Sequence, residues 1–500
     1  MNRSGPCFAA RAPAWLFLLA LPLAAPAAAG AQSPSSPALS LEEAIARARA
    51  GNPEFLAQQN DQRASRAAVR TSRADFLPSA GASTSLGYVG KGERRLGSVE
   101  FGAQPDYYSS SYSLGLSYDL SGAKLMQPAI ARAQDRATGE RIASASASLA
   151  SQVTQQYLSV LQAEEDAAQA EREVARAAEY ERLARARLEV GAGIPLDVRR
   201  AEVQKGQAEV RLVRARNARS AALLGLEQLT GAPLPAGVKL STGFTVFQPR
   251  WEAGELVRRA LERNPSLRAS RAGASAAQTG VRAARSTYLP TLSVNVGVAG
   301  SVYRAGDLGP LVDQGVASAE QRLAGCNQAN ALAKLLGQVQ QDCTRLAVDR
   351  ETVRRQVEQQ NAGYPFDFNR QPVNASLTLS LPLFNGLARE QRIEEARVAA
   401  EDAAYQVRAQ ENRVNVEIGT ALGNLETAFR TVELQEQVRQ KAEEELRLAR
   451  ERFRLGASSS VEVTDAQTNL SQAEQARIAA VYDFHRTLAM LETLVGEPLR

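Results

Sequence analysis

Five hundred residues exceed what one small hydrophobic core can organise, and 23% charged with only 5% aromatic residues, laid over long alanine-rich stretches, favour helix. A formal net charge of +5 with no dense Lys/Arg block describes a mixed solvated surface and argues against a nucleic-acid partner.

The chain opens with Arg3 and Arg11 ahead of an apolar run, Ala14 to Leu23, followed by the small residues Ala27 to Ala31. This order predicts a secretory signal peptide over residues 1–31, cleaved near Ala29 or Ala31. No later stretch reaches the roughly 18 unbroken apolar residues of a membrane-spanning helix. Cys7 leaves with the signal, and no cysteine follows the cleavage region to take a lipid.

Residues 32–250 read as a first repeat. A short amphipathic helix near 40–51 leads into a second over 53–77, which ends at Leu77-Pro78. Two alternating segments follow, near 80–90 and 111–121. In the first, Ala82, Thr84, Leu86 and Tyr88 oppose Ser83, Ser85 and Gly87; in the second, Leu114, Leu116, Tyr118 and Leu120 oppose Gly115, Ser117 and Asp119. Period two means strand. Each run has about the ten residues that a tilted strand needs to cross a bilayer, with one face for lipid and one for water. From Ala123 to Val190 the pattern is helical, roughly 100 Å of it, with an alanine seam at Ala163, Ala167, Ala170, Val174 and Ala177. Gly191 stops that helix and Pro195 starts its return, which predicts a long hairpin over 123–230.

Residues 251–500 repeat this grammar. Asn52-Pro53 and Leu77-Pro78 recur 212 positions on, Gly122 recurs as Gly386, and Gly191 as Gly456. "LEQLTGAPL" (226–234) returns as "LETLVGEPL" (491–499). Short helices fall near 251–263 and 265–289, strands near 290–300 and 373–384, and a second hairpin over 386–495 with a seam at Ile418, Leu422, Leu425, Phe429 and Val432. The fourth strand is read through Leu381 and Leu383. One jump in the offset marks an insertion at about 304–372, where the first repeat has only the matching loop at 91–110. The insertion joins two antiparallel strands at the end away from the hairpins, so it is expected outside the cell. It reads as mostly helical. Its cysteines, Cys326 and Cys343, are 17 residues apart, roughly 25 Å on one straight helix, while a disulfide needs Cα atoms within about 7 Å. A bond therefore requires the chain to turn back, near Gly337; the alternative is two free thiols in a disordered loop. Export favours the bond.

Four strands cannot close a barrel, and open edges cannot face lipid, so several copies must share one. Two copies would give a barrel filled by side chains, and three would give twelve strands, enough for a pore.

In this order of elements the mature chain, from Leu41 to Leu499, resembles the TolC family of outer-membrane efflux and secretion channels. The resemblance rests on the duplicated strand–helix grammar, the "LPLFNG" junction (381–386), the tips "VGAGIPLDV" (190–198) and "LGASSSVEVTDA" (455–466), and the closing "TGAPL" and "VGEPL". It implies a mixed α/β membrane protein: a homotrimer with a shared twelve-stranded barrel in outer-membrane lipid and long helical hairpins forming a periplasmic helical barrel. It further implies a passive exit duct in a tripartite efflux or type I secretion system. That duct is loaded by an inner-membrane pump (RND, ABC or MFS type) through a periplasmic adaptor protein.

By position, the resemblance puts a periplasmic gate at Asp197, Glu462 and Asp465. Phe453 stands where close relatives have tyrosine, and Ser458 where they have a gating arginine, for which Arg199 or Arg200 would have to substitute. Adaptor contacts fall on Val190, Gly191, Ala192, Leu455, Gly456 and Ala457. Independently, Glu462 and Asp465 are three apart on a helix and share a face, so a ring of them would attract cations; the plainer reading is two first-turn acids favoured by the helix dipole.

No phosphate loop, nucleophile–base pair or metal-ligand cluster is legible, so no cofactor and no enzyme are expected. His485, the one histidine, is read as packing. The remaining alternative is an exported periplasmic coiled-coil scaffold or adaptor without a transmembrane barrel.

Overall fold

The computed structural model describes residues 38–96, 99–104, 106–235 and 237–499. The expected signal peptide lies outside them. A two-residue strand, β1 (Ala38–Leu39), precedes helices α1 (Leu41–Gly51) and α2 (Pro53–Ala74). Then come β2 (Ser79–Val89), β3 (Gly92–Leu96), β4 (Val99–Gln104), β5 (Tyr107–Leu120) and the hairpin helices α3 (Gly122–Glu189) and α4 (Pro195–Thr230). After the short β6 (Lys239–Leu240) the pattern repeats as α5 (Ala253–Arg263), α6 (Pro265–Arg285) and β7 (Thr291–Ala305). The insertion follows as α7 (Gly309–Leu335) and α8 (Arg350–Asn361), then β8 (Asn369–Arg370), β9 (Asn374–Ser380), α9 (Ala388–Arg454) and α10 (Ser460–Val495).

The main sheet runs β2-β5-β7, with β8 and β9 both on the far side of β7, all antiparallel. Register puts Leu114, Leu116, Tyr118 and Leu120 opposite Val298, Val296, Val294 and Leu292, which makes one face continuously apolar. The other face is a serine ladder: the hydroxyls of Ser83 and Ser113, and of Ser85 and Ser111, lie 2.8 Å apart. Both sheet edges, β2 and β9, are unpaired among the described residues.

Two expectations need correction. The fourth strand ends at Ser380 rather than continuing through Leu383. Leu381 and Leu383 alternate correctly, but Pro382 between them has no N–H to donate to a ladder. The segment 91–110 is not a plain loop: β3 and β4 pair as a hairpin.

In the insertion, Cys326 and Cys343 are bonded, with Cα atoms 5.9 Å apart. The reversal falls at Gly337, whose φ of +68° suits glycine. The base of the insertion packs on the apolar face of the sheet: Phe368 lies 4.9 Å from Tyr112 and Tyr364 6.1 Å from Tyr108, ring centre to ring centre.

Each repeat closes on its own short helices in the same way. Asn52 caps α2 through the Phe55 N–H and donates its amide to Leu229 O; Asn264 caps α6 through Leu267 N–H and donates to Leu494 O. The helices that carry these carbonyls, α4 and α10, are closed by Gly231 and Gly496, with φ of +73° and +85°. That is the physical content of the duplicated "GAPL" and "GEPL". Behind each cap lies an apolar core, one around Tyr157 and Leu226, the other around Phe484 and Leu488. His485 is buried there, against the rings of Phe244 and Phe484. A third core, around Tyr180, Val198, Leu446 and Val463, joins the two hairpins near their tips.

Candidate functional site

The hairpin tips are built by one device used twice. At the end of α3, Ala192 N–H bonds Arg187 O at 2.8 Å and Gly191 N–H bonds Leu188 O at 3.1 Å. At the end of α9, Ala457 N–H bonds Arg452 O at 2.8 Å and Gly456 N–H bonds Phe453 O at 3.0 Å. This is the Schellman closure of a helix, and it requires the left-handed φ of +79° and +76° found at Gly191 and Gly456. Arg187 and Arg452 also fold their side chains onto the tips, donating to Ala192 O at 2.9 Å and to Ala457 O at 3.3 Å. Around these turns Val190 is 78% and Leu455 77% exposed, so each tip is an apolar knob in water.

The acids sit just beyond. Glu462 lies in the first turn of α10, where its N–H bonds the capping Ser459 hydroxyl. Its carboxylate accepts from Arg452 at 2.6 Å and from the Ser458 hydroxyl at 2.8 Å. Asp465 is one turn on and exposed. Asp197 occupies the first turn of α4. Neither aspartate has an ion pair among the described residues. Ser458 thus orients Glu462, while Arg199 pairs with Glu202 at 2.8 Å and Arg200 donates to the Ser460 hydroxyl at 3.1 Å.

Phe453 is buried in the seam between the hairpins. Its ring lies 5.6 Å from that of Tyr180, and the Arg187 guanidinium stacks 4.4 Å from its centre. Arg187 also donates to Phe453 O, a cross-hairpin contact that reading the sequence missed. The signal was available: at the offset that pairs Gly191 with Gly456, Arg187 pairs with Arg452. Burial, and then the charge of Asp197, raise the Tyr180 phenol above its ordinary pKa.

Further up the seam, Arg176 meets Glu474 with two hydrogen bonds, at 3.0 and 2.6 Å, and Gln169 adds a third at 3.1 Å. Burial pushes the Glu474 carboxyl up, but the Arg176 and Gln169 bonds more than offset it, and its pKa is lowered. A lowered carboxyl stabilises the fold above the unfolded carboxylate range, and that contribution is lost as pH falls through the folded value. Glu474→Gln should therefore cost about 2 kcal/mol at neutral pH, and the gap to wild type should narrow below about pH 4. Denaturant midpoints of the detergent-solubilised protein across pH measure this; a gap independent of pH would show that the pair's charge contributes nothing.

Among the described residues no helix is long and apolar enough to cross a membrane, and no group of three or more His, Cys, Asp and Glu could hold a metal.

The family model for outer membrane efflux proteins matches residues 44–232 and 256–497, one segment for each repeat. The chain belongs to the outer membrane efflux protein family. Its fold is that of solved family channels. The structure of CusC matches at 18% identity with a TM-score of 0.67, over 91% of this chain and 92% of that one. VceC, an outer membrane protein of Vibrio cholerae, matches at 15% and 0.66, over 92% and 97%. The open state of the MtrE outer membrane channel of Neisseria gonorrhoeae matches at 17% and 0.65, over 92% and 89%. A comparison with curated protein sequences finds no match. As a member of the outer membrane efflux protein family, the chain is an outer-membrane efflux channel subunit: the sheet is its barrel portion and the hairpins are its helical portion.

Proposed function

We propose that this chain forms a homotrimeric exit duct for a tripartite efflux or type I secretion system. It conducts substrate passively from a periplasmic adaptor and an inner-membrane pump to the exterior. The observation that carries the reading is the sheet itself. Among the described residues it has two unpaired edges, one apolar face and one serine-lined face, and it stands at the head of hairpins whose helices reach 68 and 67 residues. Unpaired edges within lipid must find partners, and three copies close twelve strands around a water-filled lumen. The insertion leaves the sheet at the end opposite the hairpins; in this reading it lies outside the cell, and its base covers the lipid-facing rather than the lumenal side of the strands.

The tips are the periplasmic entrance in this reading. Threefold symmetry brings three copies of Glu462, Asp465 and Asp197 around a narrow mouth, where the carboxylates attract cations. The exposed Val190 and Leu455 knobs are the docking points for an adaptor. So is the groove of about 720 Å³ between α4 and α10, lined by Leu196, Val203, Gln207, Val461 and Thr468.

Purified protein in detergent should have three times the mass of the mature chain. In planar bilayers it should conduct, and divalent or trivalent cations should block it. Replacing Glu462 and Asp465 together with Ala should raise the conductance and weaken that block. A stable monomeric barrel would defeat the duct, and unchanged block would remove these two acids from the mouth.

A further inference from the structure

Arg187 and Arg452 are repeat partners with the same backbone role and one shared side-chain contact, the tip carbonyl of Ala192 or Ala457. They differ in where the rest of the guanidinium goes. Arg452 turns to the acid ten residues on in its own hairpin, Glu462, at 2.6 Å. Arg187 has an acid at the same spacing, Asp197, and passes it by. It crosses instead to the second hairpin, where it donates to Phe453 O and stacks on the Phe453 ring. Phe453 O also accepts the Gly456 N–H that closes the second tip, so Arg187 grips a fixed point of that tip.

We propose that Arg187 is a two-position staple: seated on Phe453 it holds the two hairpin tips of one chain together, and seated on Asp197 it lets them part. The second seat is the counterpart of the one that its repeat partner, Arg452, occupies on Glu462 in this same structure. This inference rests on reading the tips as the channel entrance.

Three observations support it. Asp197 has no ion pair among the described residues, so its carboxylate is available. The neighbouring cations are engaged elsewhere, Arg199 with Glu202 and Arg200 with Ser460. Asp197 also stands close enough to the seam for its charge to be felt at Tyr180, the ring packed on Phe453. Aspartate is one methylene shorter than the Glu462 of the second repeat, and the first tip is closely wound: a Cβ on Gly193 would come within 3.2 Å of the Arg187 Cβ. The two seats are a carbonyl and an aromatic face on one side and a partly exposed carboxylate on the other. Interactions of both kinds are modest, so neither traps the arginine. Parting the tips then exchanges one partner for another instead of stranding a cation.

The test is the single-channel behaviour of the purified full-length channel in planar bilayers, with oligomer mass checked for every variant. Arg187→Gln removes the staple and should raise the ratio of open to closed time by roughly tenfold, as expected for loss of a stacked cation and a hydrogen bond. Phe453→Leu keeps the carbonyl and removes the ring, and should shift the ratio the same way by a smaller factor. Asp197→Asn removes the second seat and should lower the ratio. In the Arg187→Gln background it should do nothing, because no arginine remains to use that seat. Unchanged gating in both Arg187→Gln and Phe453→Leu overturns the staple. An Asp197→Asn effect that persists without Arg187 overturns the second seat. If cation block responds to loss of Glu462 and Asp465 while gating ignores Arg187, the entrance stands and the staple alone falls; if neither responds, the entrance reading falls with it.

Discussion

Gly122→Ala should prevent accumulation of assembled channel, while Gly386→Ala, its repeat partner, should only weaken it. Both glycines stand where a strand hands over to a long hairpin helix, and the sequence alone makes them look equivalent. They are glycine for different reasons. A Cβ on Gly122 would lie 1.9 Å from Ser286 O and 2.8 Å from Ser286 C, both backbone atoms of the turn that ends α6. No rotamer can relieve that contact, so α3 must shift away from α6, with which it packs along its upper part. Overpacking typically costs about 1–3 kcal/mol, and a clash with backbone atoms, which no rotamer relieves, stands at the upper end of that range. Gly386 has open space around its Cβ position but a φ of +67°, and alanine there pays only the left-handed backbone, about 1 kcal/mol. Denaturant unfolding of detergent-solubilised protein, with the yield of heat-resistant oligomer, separates the two. Equal effects would mean that α3 and α6 do not approach as closely as the structure shows.

That pair also marks what a sequence can carry. The four long strands of the main sheet were legible because period two survives in each of them, from Leu114 to Leu120 as from Leu292 to Val298. The hairpins were legible because a seam residue returns every three or four positions until a glycine stops it. Duplication then turned weak local signals into strong ones, since the same punctuation recurs at a constant offset. What escaped notice is what local pattern does not encode. Leu381 and Leu383 alternate as a strand would, and Pro382 ends the ladder on a property of one atom. The Asn52 and Asn264 amides reach carbonyls 177 and 230 residues away, and no spacing rule records such a reach. Phe453 belongs to a helix whose neighbours on both sides are helices, so its periodicity could not say whether it faces a mouth or a seam. Arg187 is a long side chain at a tip with several acceptors in range; only its duplicate shows that it has left the expected one.

Bulky replacements at the tips, Ala192→Trp and Ala457→Trp, should abolish efflux while leaving oligomer assembly intact. Ala192 and Ala457 follow the left-handed glycines, and their N–H groups close the helix ends onto Arg187 O and Arg452 O. Any L-residue can make that backbone bond, so tryptophan leaves the turn formed. Its side chain, however, projects from an exposed position beside Val190 or Leu455. The tip lies far from the barrel, about 100 Å along α3 or α9. Nothing in the sheet or in the two short-helix cores senses the change, so mass and heat resistance should stay at wild-type values. An adaptor that must seat on the knob meets a side chain too large for its pocket, and transport through the assembled pump should fall by roughly a hundredfold, the factor that a loss of about 2–3 kcal/mol of docking energy produces. Substrate accumulation in cells, read beside oligomer yield from the same cells, checks both halves. Full efflux with tryptophan at both tips would place adaptor docking elsewhere on the hairpins, and loss of the oligomer would mean that the tips are part of the assembly interface instead.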